Sequence, residues 1–151
     1  MRVVIVEDNA IYKEELINCM NQEAEAVDIV GITDNGAEGL AVIEKVRPDV
    51  VFTDIRMPEM DGFEMIEAIR RKHIFCKFVV VSSCPEFVYA KRAMQLGVSD
   101  YLLKPVKLSE IRMVLRRLEE ELRERDRWVH LLNLEYVFLN AITGQIREDE
   151  R

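Results

Sequence analysis

The chain has 151 residues, 49% of them apolar and 32% charged, with a formal net charge of −7. That is one domain of ordinary size with room for an appendage, and it is too apolar for a disordered chain. The acid excess disfavours a nucleic-acid reader that works by bulk positive charge, and it suits bound cations or basic partners. Two His and three scattered Cys (Cys19, Cys76, Cys84) leave out most zinc frameworks. Thiols so spaced, with no CxxC pair, read as reduced packing cysteines of a cytoplasmic protein. The first apolar run is far shorter than a signal-peptide core, and no stretch approaches the roughly 20 apolar residues of a membrane span. The expected product is soluble and intracellular.

Val3–Val6 predicts a first buried strand, and Ile11, Leu16, Ile17 and Met20 mark the apolar face of a first helix. A second strand is expected over Asp28–Ile32, then a helix on Ala37, Leu40, Ile43 and Val46 that Pro48 stops. A third strand, Val50–Thr53, precedes a helix opened by Asp61-Gly62 and marked by Phe63, Ile66 and Ile69. A fourth, Phe78–Val81, precedes a helix on Val88, Ala90, Ala93, Met94 and Leu96, with Gly97 as its C-cap. Tyr101–Leu103 is the fifth strand. Near-continuous apolar strands alternating with helices predict a doubly wound α/β fold, its parallel sheet covered on both faces.

From Leu108 the pattern changes. Leu108, Ile111, Leu115, Leu118, Leu122, Val129, Leu132, Tyr136 and Leu139 recur in alternating steps of three and four, broken only by Arg125. This heptad pattern, sustained over about four heptads, predicts a long helix with coiled-coil character. Its first part must pack on the sheet as a fifth helix, and residues beyond about 123 reach too far along a helix to stay on a small domain. Thr143-Gly144 is expected to end it, with Glu148–Arg151 frayed. The organisation so read is a domain over residues 1–120 and a helical extension over 121–151.

The polar residues at the strand ends carry the chemistry. Strand 1 runs into Glu7-Asp8, strand 3 into Asp54, strand 4 into Ser82-Ser83 and strand 5 into Lys104-Pro105. All lie at carboxyl ends of parallel strands, where open α/β sheets bind their ligands. Three carboxylates brought to one spot repel each other and are driven towards protonation. A hard divalent cation removes that conflict, and Mg²⁺ needs only one or two carboxylates plus a phosphate. The ammonium of Lys104 offsets more of the charge.

With these residues in this order, the chain resembles the receiver domain of bacterial two-component response regulators. The likeness rests on Val-Val-Ile-Val-Glu-Asp at 3–8, Pro-Asp-Val-Val-Phe-Thr-Asp-Ile-Arg-Met-Pro-Glu-Met-Asp-Gly at 48–62 and Gly-Val-Ser-Asp-Tyr-Leu-Leu-Lys-Pro-Val at 97–106. It implies a flavodoxin-like sheet of order 2-1-3-4-5. It makes Asp54 the phosphoacceptor for a phosphohistidine on a sensor histidine kinase, which is nucleophilic catalysis by a carboxylate. It implies Mg²⁺ held by Asp8, Asp54 and the backbone carbonyl of Arg56, with Glu7 reaching the metal through water. Lys104 would pair with the phosphoryl oxygens, and a cis bond before Pro105 would aim it. Ser82 would be the switch hydroxyl, and Tyr101 the aromatic switch that rotates inward from an exposed position. Ser83 matches a position kept small for phosphodonor access, while Arg56 and Cys84 would lean over the site and tune hydrolysis. Gly62 is expected to supply a backbone conformation that other residues resist. His73 and His130 fall outside the set.

The run Pro85–Val106 is similar to receivers joined to a C-terminal AraC-type (YesN-like) module, and Phe138–Arg147 resembles the start of their connector. The resemblance implies a homodimer through helix 4, strand 5 and helix 5, or through the C-terminal helix. DNA would be reached only through an output domain absent from this chain, and no membrane is involved. The expected activity is self-phosphorylation and autodephosphorylation, without enzymatic turnover. Three other readings are weaker. A Mg²⁺-dependent phosphohydrolase wants a general-acid Asp two residues after its nucleophile, and Arg56 stands there. A pseudo-receiver would not need Asp8, Asp54, Ser82 and Lys104 together. A flavodoxin-like cofactor binder wants a Ser/Thr-rich loop after strand 1.

Overall fold

Valine, isoleucine and phenylalanine dominate the strands because both faces of each inner strand are covered. In the computed structural model, which describes the backbone of residues 1–149 and the side chains of residues 1–143, Val3–Val6, Val50–Phe52 and Phe78–Val81 are buried. The strands are β1 (Arg2–Val6), β2 (Asp28–Thr33), β3 (Val50–Thr53), β4 (Lys77–Ser82) and β5 (Asp100–Leu103). They pair in parallel in the order β2-β1-β3-β4-β5, the expected doubly wound flavodoxin-like sheet. Helices α1 (Ala10–Gln22), α2 (Gly36–Val46), α3 (Gly62–Arg71), α4 (Phe87–Gln95) and α5 (Leu108–Asp149) alternate with them. The chain divides into two units, Met1–Val114 and Leu115–Arg151.

Register decides what meets at the carboxyl edge. The strand order reverses direction at β1, so β1 and β3 flank the crevice where such sheets bind ligands. Val6 pairs with Thr53, so Glu7 and Asp54 leave the sheet side by side. Ser82 pairs with Leu103, and the Lys104 amide donates to the Ser82 carbonyl at 2.9 Å. Three signals read from the sequence act where expected: Asp61-Gly62 opens α3, Pro48 follows the end of α2 and Gly97 follows α4. Asn9, Asn35 and Asp61 cap α1, α2 and α3, and Asp61 forms a capping box with Glu64. Arg47 takes the left-handed conformation just before Pro48, and Gly97 does so (φ 71°) just after α4.

Three expectations about packing change. Ile11, Val88 and Met94 sit at helical spacing, yet they are 68%, 66% and 77% exposed, and α4 buries only Ala93. Periodicity names the apolar face of a helix but not whether a neighbour covers it. In α2, Ala37 is exposed and Gly36 and Gly39 are buried instead. A Cβ on Gly39 would come 2.8 Å from Met65 Sδ. Gly62 is glycine for a reason other than its backbone angle, since Gly97 is the glycine with positive φ. A Cβ on Gly62 would stand 2.1 Å from the carbonyl oxygen of Asp54, where the turn after β3 folds back and the Gly62 amide donates to Ile55 at 2.7 Å.

The long helix also differs from its reading. It passes through Thr143-Gly144 and reaches Asp149. The Thr143 hydroxyl donates to the Leu139 and Asn140 carbonyls (3.0 and 3.2 Å), so it is satisfied inside the helix. A lone glycine costs a helix only about 1 kcal/mol. Of the expected frayed end, Glu148 and Asp149 are helical, and Glu150 and Arg151 lie outside the described residues. Burial along α5 reaches Leu118; Val129, Leu132, Tyr136 and Leu139 of the heptad series are exposed.

Gly62→Ala is expected to destabilise the protein by about 1–3 kcal/mol through overpacking against backbone. Gly97→Ala, whose Cβ would meet nothing nearer than Arg70 at 3.8 Å, pays only for a left-handed residue, about 1 kcal/mol. Urea denaturation should show both as lower midpoints at unchanged slope, with Gly62→Ala the lower.

Candidate functional site

Glu7 and Asp8 continue β1, and Asp54 comes directly after β3. Glu7 is fully buried, Asp54 nearly so and Asp8 exposed. One carboxylate oxygen from each lies within 4.8 Å of the others. Lys104 arrives from the end of β5, and its Nζ donates to Glu7 Oε1 at 2.7 Å and to Asp54 Oδ2 at 2.8 Å. The other carboxylate oxygen of Asp54, Oδ1, accepts from its neighbour's amide, Ile55 N, at 2.6 Å. The backbone of Asp54 is held as well: its amide donates to Val6 O (3.1 Å), and its carbonyl accepts from the Thr53 hydroxyl (2.8 Å).

One ammonium faces three carboxylates, and both burial and this imbalance act on Glu7 and Lys104. Burial pushes the Glu7 carboxyl up to about 7; the Lys104 hydrogen bond opposes this, and the nearby charges of Asp54 and Asp8 reinforce it. Burial alone would lower Lys104. Its hydrogen bonds to Asp54 and Glu7, and their charges, outweigh that and hold it above the ordinary lysine value. Glu7 Oε2 is buried with no hydrogen-bond partner among the described residues. An all-oxygen donor set with excess negative charge and an unsatisfied buried carboxylate oxygen fits a hard cation such as Mg²⁺.

A second group lies at the end of β4. Ser82 is buried, and its Oγ accepts from the Cys84 amide at 3.1 Å. Tyr101 is half-buried, and its hydroxyl donates to the Cys84 carbonyl at 2.5 Å. Burial raises the Tyr101 phenol above its ordinary pKa, against a hydrogen bond with Ser82 that lowers it. The two candidate switch residues thus grip the N–H and the C=O of one residue. Ser83 is exposed beside them, and the Cys84 side chain is buried. The Lys104–Pro105 peptide is cis.

Arg56 is exposed and lies on Tyr89 of α4. It donates to the Tyr89 hydroxyl at 2.9 Å, with its guanidinium 5.6 Å from the ring centroid. Tyr89 stacks on Phe63 of α3 (6.5 Å between centroids, 13° between planes), and Arg92 sits 5.6 Å over Phe63. His73 and His130 are exposed and take no part. Spacing along the chain missed two residues. Tyr89 joins Arg56 across 33 positions, and the Tyr12 ring lies 4.3 Å from Lys104 Nζ across the sheet edge. Neither has a local signal.

The family described as the response regulator receiver domain matches residues 3–116. The transcriptional regulatory protein HptR of Staphylococcus aureus is 32% identical over 161 residues, covering 97% of this chain and 63% of HptR. The uncharacterized transcriptional regulatory protein YesN of Bacillus subtilis is 33% identical over 125 residues, covering 83% of this chain and 34% of YesN. The chain therefore spans less than two thirds of these relatives. A LuxR-family DNA-binding response regulator from Staphylococcus aureus superposes with a TM-score of 0.72 at 28% identity, covering 78% of this chain and 98% of that one. The LuxR-family description of that structure contradicts the expected AraC-type subclass, while the likeness to YesN itself is found. The run Pro85–Val106, quoted for the AraC-type likeness, builds α4, β5 and the site lysine, parts that serve the receiver whatever its output module. A parallel sheet of order β2-β1-β3-β4-β5, an acidic cluster at its carboxyl edge and a family match over residues 3–116 place this chain in the response regulator receiver domain family.

Proposed function

We propose that Asp54 is the residue that takes the phosphoryl group and that Lys104, Ser82 and Tyr101 handle its arrival. The observation that carries this reading is the pair of bonds from Lys104 Nζ to Asp54 and Glu7 inside a cluster of three acids. A carboxylate oxygen of Asp54 attacks the phosphorus of a phosphohistidine on a sensor kinase. The P–N bond breaks and an acyl phosphate forms. Lys104, its side chain almost wholly buried, holds the charge that grows on the phosphoryl oxygens. Asp8, Asp54, the Arg56 carbonyl and, through water, Glu7 would hold Mg²⁺, which when bound supplies positive charge opposite those oxygens. Ser83 leaves room for the donor. Arg56, which rests on Tyr89, and Cys84 would tune hydrolysis.

The response starts from the grip on Cys84. A Ser82 hydroxyl that turns to the new phosphoryl group releases the Cys84 amide, and any shift of Cys84 is felt by the Tyr101 hydroxyl on its carbonyl. Tyr101 then reports on the α4–β5 face, where Phe87, Val88, Met94 and Leu103 are exposed. That face, with the first part of α5, is the proposed homodimer surface. The exposed heptad residues of α5 are a second one, as a coiled coil. Residues 1–120 act as receiver and 121–151 as the extension. The names of the relatives support transcription as the output; the proposed setting is the cytoplasm, with DNA bound outside the receiver. Among the described residues no helix is long and apolar enough to cross a membrane.

Incubation with Mg²⁺ and acetyl phosphate should add one phosphoryl group by intact mass. Asp54→Ala or a chelator should abolish the gain; uptake by Asp54→Ala would refute the assignment. Glu7 predicts a pH dependence in the metal-free protein. Its folded pKa, about 7, exceeds the ordinary 4.5, so the folded state binds the extra proton. Stability should therefore fall as pH rises from about 4.5 to 7. Glu7→Gln should flatten that fall and be more stable than the parent at pH 8, read by urea denaturation in chelator. For the extension, Leu132→Glu with Leu139→Glu should turn a dimer into a monomer in sedimentation. An unchanged mass for the doubly substituted chain would reject the helix as the dimer contact.

A further inference from the structure

Lys104 has more holding it than its two carboxylates. An ammonium carries three N–H groups, and those given to Glu7 and Asp54 account for two directions. In a third, the ring of Tyr12 stands 4.3 Å from Nζ. Tyr12 is half-buried in the first turn of α1, and the Asn9 side chain, the cap of that helix, accepts from the amides of Ile11 and Tyr12 (3.0 and 3.2 Å). The ring thus sits on a fixed piece of backbone. Tyr12, Val81 and Val106 line one small cleft with the lysine stem.

We propose that Tyr12 is a positioning residue for phosphoryl transfer, acting through Lys104 by a cation–π contact. The role rests on the phosphoacceptor reading above. A lysine is a point charge on a flexible stem with freely rotating donors, so its aim must come from its surroundings. The bond to Asp54 Oδ2 cannot supply that aim throughout, because the Asp54 carboxylate is the group that changes. The ring face attracts the ammonium whatever Asp54 carries, limits its swing and keeps water from one side.

The test compares the parent, Tyr12→Phe and Tyr12→Leu, each alone and combined with Lys104→Met. Initial rates of phosphorylation by acetyl phosphate with Mg²⁺ are read by intact mass. Leucine keeps apolar volume but has no ring face. Tyr12→Leu should slow the reaction about fivefold, a size that a partly desolvated cation–π contact supports, and Tyr12→Phe should stay within about twofold of the parent. With Lys104→Met in place, all three residues at position 12 should react at one rate. In the metal-free protein, the ring current should shift the Lys104 ε-methylene protons upfield in the parent and in Tyr12→Phe, but not in Tyr12→Leu. A parental rate for Tyr12→Leu, an equal slowing that persists with Lys104→Met, or unshifted methylene protons in the parent would each overturn the role. A parent that takes up no phosphoryl group overturns the phosphoacceptor reading itself, a failure distinct from these.

Discussion

The ammonium of Lys104, shared between Glu7 and Asp54, is the interaction on which the rest of the site depends. Buried charges are tolerable only when paired and hydrogen-bonded, and here a single cation serves two buried acids while a third, Asp8, stands at the rim. The arrangement is under-neutralised. Burial, with the charges of Asp54 and Asp8 added to it, makes Glu7 bind its proton more tightly, and one of its oxygens lacks a partner among the described residues. The same imbalance makes the site receptive to added positive charge. A cluster that costs stability when it stands alone is suited to bind a cation and to handle a phosphoryl group.

The sheet brings these groups together. Glu7 and Asp54 emerge side by side because Val6 pairs with Thr53, and Lys104 joins them because β5 pairs with β4 at Ser82. The turn after β3 carries one non-glycine residue in the left-handed conformation, Glu59 (φ 67°). The tightest approach at a glycine is at Gly62, where the turn after β3 presses on the carbonyl of Asp54, and Gly36 meets the Met60 carbonyl of the same turn. Rigid strands hold the acids, and α4 beside them packs more lightly. Ser82 and Tyr101 hold opposite ends of the Cys84 peptide backbone, next to an α4 that buries only Ala93. An element so lightly packed belongs to the less stable part of a fold.

Arg56 links the site to α4 by a second route. Its side chain lies on Tyr89, which stacks on Phe63, which in turn faces Arg92. Arg92 also pairs with Glu67 of α3. The residue two positions after Asp54 is therefore joined through aromatic rings to α3 and α4. The Cys84 grip and this ladder reach α4 from two sides of the site.

The sequence by itself determined the strands, the alternation with helices, the opening of α3 at Asp61, and the residues that gather at the carboxyl edge. These come from properties of neighbours along the chain: β-branched runs, helical spacing, turn chemistry, and polar residues placed where strands end. The class of output domain was not legible, because the residues of α4 and β5 serve the receiver and not the module attached to it. Helical spacing named Ile11, Val88 and Met94 as apolar, but only the fold showed that nothing covers them. Tertiary structure alone decided that Tyr12 faces Lys104, that Arg56 rests on Tyr89, that Tyr101 reaches Cys84 and that Gly62 meets the Asp54 carbonyl. Each of those contacts joins residues from different elements of the fold, and their meeting depends on strand order and register, which no local pattern encodes.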